Sequence, residues 1–581
     1  FTPRMKLSGQ VLHGGSKYKD YVHAYKYNPG GVSTQETNND NYSLKFNHAI
    51  GSKSFYEAHV FYGTTDYMLY YADPIDLNDA LSAVDPGNDK DFYIVATEDD
   101  SGATLYELYN HSFYETQRIF GVPSSAAFVF GGTQREQRYR QSNSRGGKID
   151  FTSQVTHRHE MKTGISYRID DLDERYFEIL FDGNKYDVPT ILPENSSSSH
   201  SRYNKKAYFL SSYVQDKLEY ENFVMNVGLR YDYFDPNSTY IADLLNPRGE
   251  RKQAKPKQMF SPRIGVALPI TDEGIFHFSY GHFYQMPTLR LMFIEPIFGV
   301  SGSPTVGYAD VRPEKTVSYE FGLQQQLSNI LAIETNIFYK DIRDLLALQS
   351  IKYKGPEGPQ SYSVYQNKDY GAIKGFTFSL TKNYDPITKL SAFFDYTYQA
   401  TEGNAVASGS FFLNAISGLE KEKDIVPLKW DQSHIINVTT TFSEPGKWSF
   451  SLISKLSSGW PYTPNYPKYT DLQNINPDEN SGRKPWQKTF DLLVNKSVRF
   501  GGVSVGLFAK TYNVLDTQNE AYVFDDTGRS GYTFIGRSSE ETEFYKSHYG
   551  EPGIHTWEEY QTRPSYYRSP RLVTIGFSIN I

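Results

Sequence analysis

Apolar and polar residues alternate along much of the chain, most clearly between Asn222 and Tyr284. In Asn222–Tyr233 one set of alternate positions is Phe223, Met225, Val227, Leu229, Tyr231 and Tyr233. The other set is Asn222, Val224, Asn226, Gly228, Arg230 and Asp232. A strand turns successive side chains to opposite faces, so this segment separates an apolar medium from a wet one. Phe260–Pro269 and Ile275–Tyr284 repeat the pattern around Thr271-Asp272-Glu273-Gly274, which predicts an antiparallel hairpin.

The same unit recurs from end to end. Strands are expected at Met5–Val11, Tyr18–Tyr27, Tyr42–Ala49, Phe55–Thr64, Gly147–Val155, Lys162–Ile169 and Lys206–Tyr220. Further pairs follow at 316–327 with 331–341, 373–380 with 390–398, 433–442 with 448–456, and 489–498 with 503–512. The closing strand, Arg571–Ile581, sets Val573, Ile575, Phe577, Ile579 and Ile581 against Thr574, Gly576, Ser578 and Asn580. Long loops are expected at about 66–143, 170–204, 235–257, 285–314, 400–429, 459–485 and 517–570. Turns of about two to five residues thus alternate with loops of roughly 20 to 50, the asymmetry of an outer-membrane barrel with short periplasmic turns and long extracellular loops. The fold class is all-β: a large antiparallel transmembrane barrel of about 22 strands, a size at which the lumen is plugged. Residues 1–581 read as one barrel region, with no compositional border inside it.

Composition agrees with that reading. Aromatic residues reach 16%, yet mean hydropathy is −0.57, as expected when only alternate residues meet lipid. There is no cysteine, so disulfides and thiolate sites are excluded. The net charge of −8 is dispersed, which excludes a basic nucleic-acid face. No apolar run reaches the roughly 18 residues of a spanning helix. Phe1-Thr2-Pro3-Arg4 does not read as a signal peptide.

Candidate chemistry is sparse. His157 and His159 share a strand face but lack a third ligand in the sequence nearby. Oxygen-rich runs suit calcium: Asp171 and Asp173 in one loop, Asp478 and Glu479 within Asn476–Asn480 in another; ordinary solvated loops account for both. Aromatic and methionine residues in expected extracellular loops are the stronger ligand candidates: Trp460, Tyr462, Tyr466 and Trp486, and, within Met286–Phe298, Met292 and Phe293. The plainer role for these is loop packing or the aromatic girdle. Gly502-Val503-Ser504-Val505-Gly506 fits a nucleophile-elbow pattern but lies in an alternating strand, and no catalytic set can be assembled, so no enzyme activity and no cofactor are expected.

Five segments stand out in order along the chain: Phe260-Ser261-Pro262-Arg263-Ile264-Gly265, Arg312-Pro313-Glu314-Lys315-Thr316, Trp430-Asp431-Gln432-Ser433-His434, Gly459-Trp460-Pro461-Tyr462-Thr463-Pro464 and Asn513-Val514-Leu515-Asp516. With them the chain resembles the barrel of TonB-dependent outer-membrane receptors, in particular the Oar-like branch common in Bacteroidota, which carries a carboxypeptidase-regulatory-like domain. The resemblance implies TonB-coupled uptake of a scarce, bulky solute such as a siderophore, cobalamin, glycan or peptide. The implied partners are outer-membrane lipid and lipopolysaccharide, the TonB complex acting through a plug, and a surface lipoprotein or envelope complex; nucleic acid is not among them. Neither plug nor TonB box is found in the sequence, so a fragment of a longer protein is expected. The alternatives are a partner-binding structural barrel subunit and a passive porin.

Overall fold

The computed structural model describes residues 4–71, 75, 77, 81–82, 93–98, 104–109, 118–119, 128–181, 188–194, 199–294, 305–355, 358–404, 425–466, 477–534 and 557–580. Phe298, Asn476 and Ile581 lie outside them. One sheet of 20 strands forms the body, and two of these, Thr305–Val306 and Val426–Pro427, are two-residue pieces at its edge. The eighteen long strands are β1 (Met5–Lys19), β2 (Thr34–Ala49), β3 (Ser54–Tyr70), β4 (Glu136–Gln154), β5 (His159–Glu178), β6 (His200–Tyr220), β7 (Phe223–Asp235), β8 (Lys257–Thr271) and β9 (Gly274–Gln285). They continue with β10 (Glu314–Ser328), β11 (Leu331–Gly355), β12 (Gly358–Asp385), β13 (Leu390–Gly403), β14 (His434–Glu444), β15 (Trp448–Ser457), β16 (Gln487–Phe500), β17 (Val503–Tyr512) and β18 (Leu572–Asn580). Each pairs antiparallel with the next, from β1–β2 to β17–β18.

Eight connections at one end have two to four residues; at the other end all but one are long. The exception is β11–β12, strands of 25 and 28 residues joined across two residues. A strand of about 9–11 residues crosses a membrane, so this hairpin stands well clear of it. A bulge at Ile342–Leu345, with Asp344 at φ 61°, breaks its register. Strands β4, β5 and β6, of 19, 20 and 21 residues, also rise above the membrane.

These extensions correct the expected loops. Residues 136–143 and 170–178 are strand, not loop, because β4, β5 and β6 stay in register over their whole length. Met5–Val11 and Tyr18–Tyr27 are not two strands: β1 runs unbroken to Lys19, and His23–Tyr25 is a 3-10 turn. Among the described residues no helix is long and apolar enough to cross a membrane.

The register separates two faces. Val60, Ile149, Ile165 and Val214 lie on the outside, and Val227, Leu229 and Ile264 continue the band on β7 and β8. Facing lipid, these side chains need no further partner. Inside, polar side chains bond one another: the Tyr213 hydroxyl donates to Asp150 (2.9 Å), and Ser211 donates to Asp232 (2.6 Å). Inward aromatic rings lie flat over glycines directly opposite them: Phe61 over Gly146, Tyr213 over Gly164, Phe338 over Gly375 and Phe508 over Gly576. A Cβ on any of these glycines would press into the ring, so the glycines let bulky rings lie on the wall and leave the lumen open.

Long-range loop contacts tie the two ends of the sheet together on the external side. The His23 Nε2–H donates to the Tyr560 carbonyl (2.8 Å), Nδ1 accepts from Tyr21 (2.8 Å), and Lys26 pairs with Glu559 (2.6 Å). Phe128 and Tyr560 meet the His23 ring edge-on at 5.4 and 5.3 Å.

Two expectations follow. Ile165→Arg places a charge in lipid and destabilises the barrel by about 2–4 kcal/mol, whereas Ser166→Arg, facing the lumen, costs less than about 1 kcal/mol; unfolding in urea from lipid vesicles reads the difference. Burial lowers the His23 pKa from its ordinary value, with Arg563 and Lys26 adding to the fall and the Tyr560 carbonyl and Glu559 opposing it. A depressed folded pKa means that the unlatched loop binds the proton more readily. The latch is therefore fully stable above about pH 6.5 and loosens as pH falls through the lowered value. Hydrogen exchange in residues 20–33 and 557–566 rises from pH 7 to pH 5 beyond the intrinsic rate change, and His23→Gln removes that rise.

Candidate functional site

The external mouth is narrowed by a loop that folds inward. After β9, the helix α1 (Leu289–Phe293) turns into the lumen, where Met292 and Phe293 are each 2% exposed. They belong to a cluster with Leu172, Tyr203, Ala207, Phe234 and Met259, all on the inner face of β5–β8. Arg290 reaches Glu174 at 3.4 Å. Methionine and phenylalanine here cap the wall; their burial supplies the apolar area that holds the loop down.

Below this cap the wall opens into a recess of about 570 Å³, floored by Gly228, Gly265, Ser279 and Gly281 and flanked by Arg230 and Arg263. Inward charges are mostly neutralised along their own strands: Lys148 with Asp150 (2.7 Å), Arg168 with Asp170 (3.1 Å) and Arg230 with Asp232 (2.7 Å). Residues two apart on a strand share a face, which makes these pairs local and independent of neighbouring strands.

The remaining aromatic candidates fall into three settings. Tyr462 and Tyr466 are brought together with Asp525 and Asp526 in the external loops, where burial, then Tyr466, Asp525 and Asp526, raise the Tyr462 phenol pKa. Pro461–Tyr462 pairs with Gly482–Arg483, and the Asn465 N–H donates to the Asp525 carbonyl (3.0 Å). Burial and Asp526 also raise the Asp525 carboxyl pKa, and burial lowers that of Lys484. Trp460 carries the Arg568 guanidinium over its ring at 4.8 Å. Trp486 stands apart: it is 46% exposed, on the outward register of Lys488 and Phe490, and stacks on His434 at 5.9 Å. His434 in turn stacks on Tyr396 at 6.2 Å, giving a ladder at the membrane boundary.

The rim beneath is fixed by Asp431, 2% exposed, which accepts from the Thr401 N–H (2.7 Å) and from Arg483 (2.6 Å). The calcium candidates are differently placed than their sequence suggested. Asp171 and Asp173 are on β5, not in a loop; Asp171 is met by Lys206 (3.1 Å) and Arg145 (3.6 Å), and Asp173 by Arg202 (3.4 Å). Asp478 is exposed, and its carbonyl accepts from the Ser481 N–H (3.2 Å), while Glu479 lies next to it in the turn. His159 bonds Asp216 (2.8 Å). Among the described residues no group of three or more histidine or acidic side chains is placed to hold a metal ion. Ser504 is the second residue of β17, paired in the ladder with β16 and 3.0 Å from the Ser497 hydroxyl. Arg138 and Arg140 at the mouth escaped the sequence reading, since their stretch read as loop; their one signal was the alternation Arg138-Tyr139-Arg140.

Phe293→Ala removes the main anchor of the inward loop, a truncation worth about 3–5 kcal/mol in a packed core. Limited proteolysis between Gln285 and Glu314 is expected to accelerate, while Trp486→Ala leaves it unchanged.

The matched family model is described as TonB dependent receptor-like, beta-barrel, and covers residues 10–514. No curated protein sequence matches. Among solved structures, the outer membrane transporter YddB from Escherichia coli is 14% identical with a TM-score of 0.59, over 90% of this chain and 64% of that one. The ferric-catecholate import receptor Fiu from K12 E. coli is 12% identical with a TM-score of 0.52, over 90% and 70%. BauA, the ferric preacinetobactin receptor from Acinetobacter baumannii, is 12% identical with a TM-score of 0.52, over 89% and 66%. At such identities the likeness is one of fold, and this chain spans 64% of the length of YddB. On the family match, the chain belongs to the TonB dependent receptor-like β-barrel family.

Proposed function

We propose that this outer-membrane barrel serves TonB-coupled import of a scarce, bulky solute. The observation that carries the reading is the family match over most of the chain, joined to a mouth in which an anchored loop folds over an open, polar lumen. In this reading the wall supplies a frame in lipid whose backbone is paired strand to strand. The external loops take up the solute, and the TonB complex supplies energy through a plug domain seated in the lumen. Tyr462, Tyr466 and Trp460 are the loop residues that contact solute. Met292 and Phe293 set the position of the inward loop, and Trp486 belongs to the boundary girdle with His434. The chain acts as a transporter and carries out no catalysis. The outer rise of β4–β6, dense in charged pairs such as Lys206 with Asp171, meets lipopolysaccharide headgroups or a surface lipoprotein. Copper and ferric complexes are named for proteins of the same fold, so a metal chelate is a natural cargo class.

The test is energetic. Cells carrying the complete receptor accumulate the solute against a gradient, and accumulation stops when TonB is deleted or the proton gradient collapsed. Uptake that persists without TonB and rises linearly with concentration identifies a passive pore instead.

A further inference from the structure

A row of inward residues crosses the external mouth in register. Thr37 lies opposite Tyr67, Tyr67 opposite Arg140, Arg140 opposite Glu174 and Glu174 opposite Tyr203. One step further out, Arg138 lies opposite Tyr176. Each arginine is held by a ring: Arg140 at 4.9 Å from the Tyr67 ring and Arg138 at 5.1 Å from Tyr176. Stacking occupies the flat face of a guanidinium and leaves its edge, which carries the N–H donors, free to bond.

One buried carboxylate serves the group. Glu174 accepts from the Tyr203 hydroxyl (3.1 Å) and lies 3.7 Å from Arg138 and 3.4 Å from Arg290, which descends from the inward helix. Among the described residues Arg140 has no ion pair, the Arg138 Nε is buried without a hydrogen bond, and the buried Arg290 Nε faces Glu174 Oε1 at 3.4 Å without forming one. Glu136 and Glu178 face each other on the next row outward, beyond ion-pair distance of Arg138. Arg138 and Arg290 thus share a single carboxylate, and Arg140 beside them pairs with none, in a partly dehydrated mouth where an unanswered donor is costly. Their fork geometry matches planar or tetrahedral oxyanions and accepts two oxygens at once.

We propose that Arg138, Arg140 and Arg290 form an oxyanion-binding site at the lumen mouth, which takes carboxylate or phosphate groups of the imported solute. The identity of the groups as parts of a cargo rests on the import reading; the binding itself does not.

The purified protein in detergent is titrated calorimetrically at low salt with citrate and, separately, with inorganic phosphate; whichever binds names the oxyanion. Binding of at least one is expected, weakened at least tenfold by Arg140→Gln and by Arg138→Gln. Arg140→Lys keeps the charge but loses the fork and gives an intermediate loss. Arg230→Gln, an inward arginine already bonded through two nitrogens to Asp232, leaves binding unchanged. A heat-shifted gel mobility confirms that each variant is folded. If the wild type binds neither probe, or Arg230→Gln weakens binding as much as Arg140→Gln, the proposal is overturned. Because the assay needs neither TonB nor a gradient, a failed uptake experiment leaves this result standing, and the converse also holds.

Discussion

In hydrocarbon a backbone N–H or C=O has no water to bond, and each unpaired group costs several kcal/mol. The architecture depends on meeting that demand. Seventeen consecutive antiparallel ladders, from β1–β2 through β17–β18, pair the backbone strand to strand. Once the ladders exist, the side chains are free to address two solvents. Leu229 points to lipid and Arg230, the next residue, to the lumen. Short turns at one end keep neighbouring strands in register, and the long connections at the other end carry what differs between relatives of this fold.

The inner face has a second constraint: it must stay passable. Rings such as Phe338 and Phe508 lie on glycines instead of projecting into the lumen. Charges such as Arg230 and Asp232 are settled within one strand. Against that neutralised wall, the mouth is the exception. There the loop after β9 folds in on Met292 and Phe293, and arginines outnumber the one carboxylate they reach. Packing and charge meet at Arg290, which belongs to both the inward helix and the arginine group.

Much of the membrane part was legible in the sequence because only there do the two faces meet different solvents. Asn222–Tyr233 and Arg571–Ile581 announce strands on that basis. Above the membrane both faces of β4, β5 and β6 are wet, so alternation fades and charged runs such as Asp170–Glu174 resemble loop. The structure keeps them as strand through cross-strand partners, Arg145 and Lys206 for Asp171, that no local pattern encodes. Candidate-site residues were harder still. Trp486 and Trp460 look alike in sequence, yet one stacks on His434 at the boundary and the other under Arg568 in the loops. Met292 and Phe293 gave a correct sense of apolar weight in a loop without revealing that the surface they cover is their own lumen wall.

The central claim is that one residue-by-residue alternation divides lipid from an aqueous lumen. The absence of native cysteine makes a direct measurement simple. Single cysteines placed in turn along Phe223–Asp235 and labelled with a fluorophore are exposed, in vesicles, to a lipid-borne quencher and to a water-soluble one. The account predicts a period of two: lipid quenching at Met225, Val227, Leu229 and Tyr231, aqueous quenching at Asn226, Gly228, Arg230 and Asp232. Quenching that varies smoothly along the segment, or a period near 3.6, would contradict it.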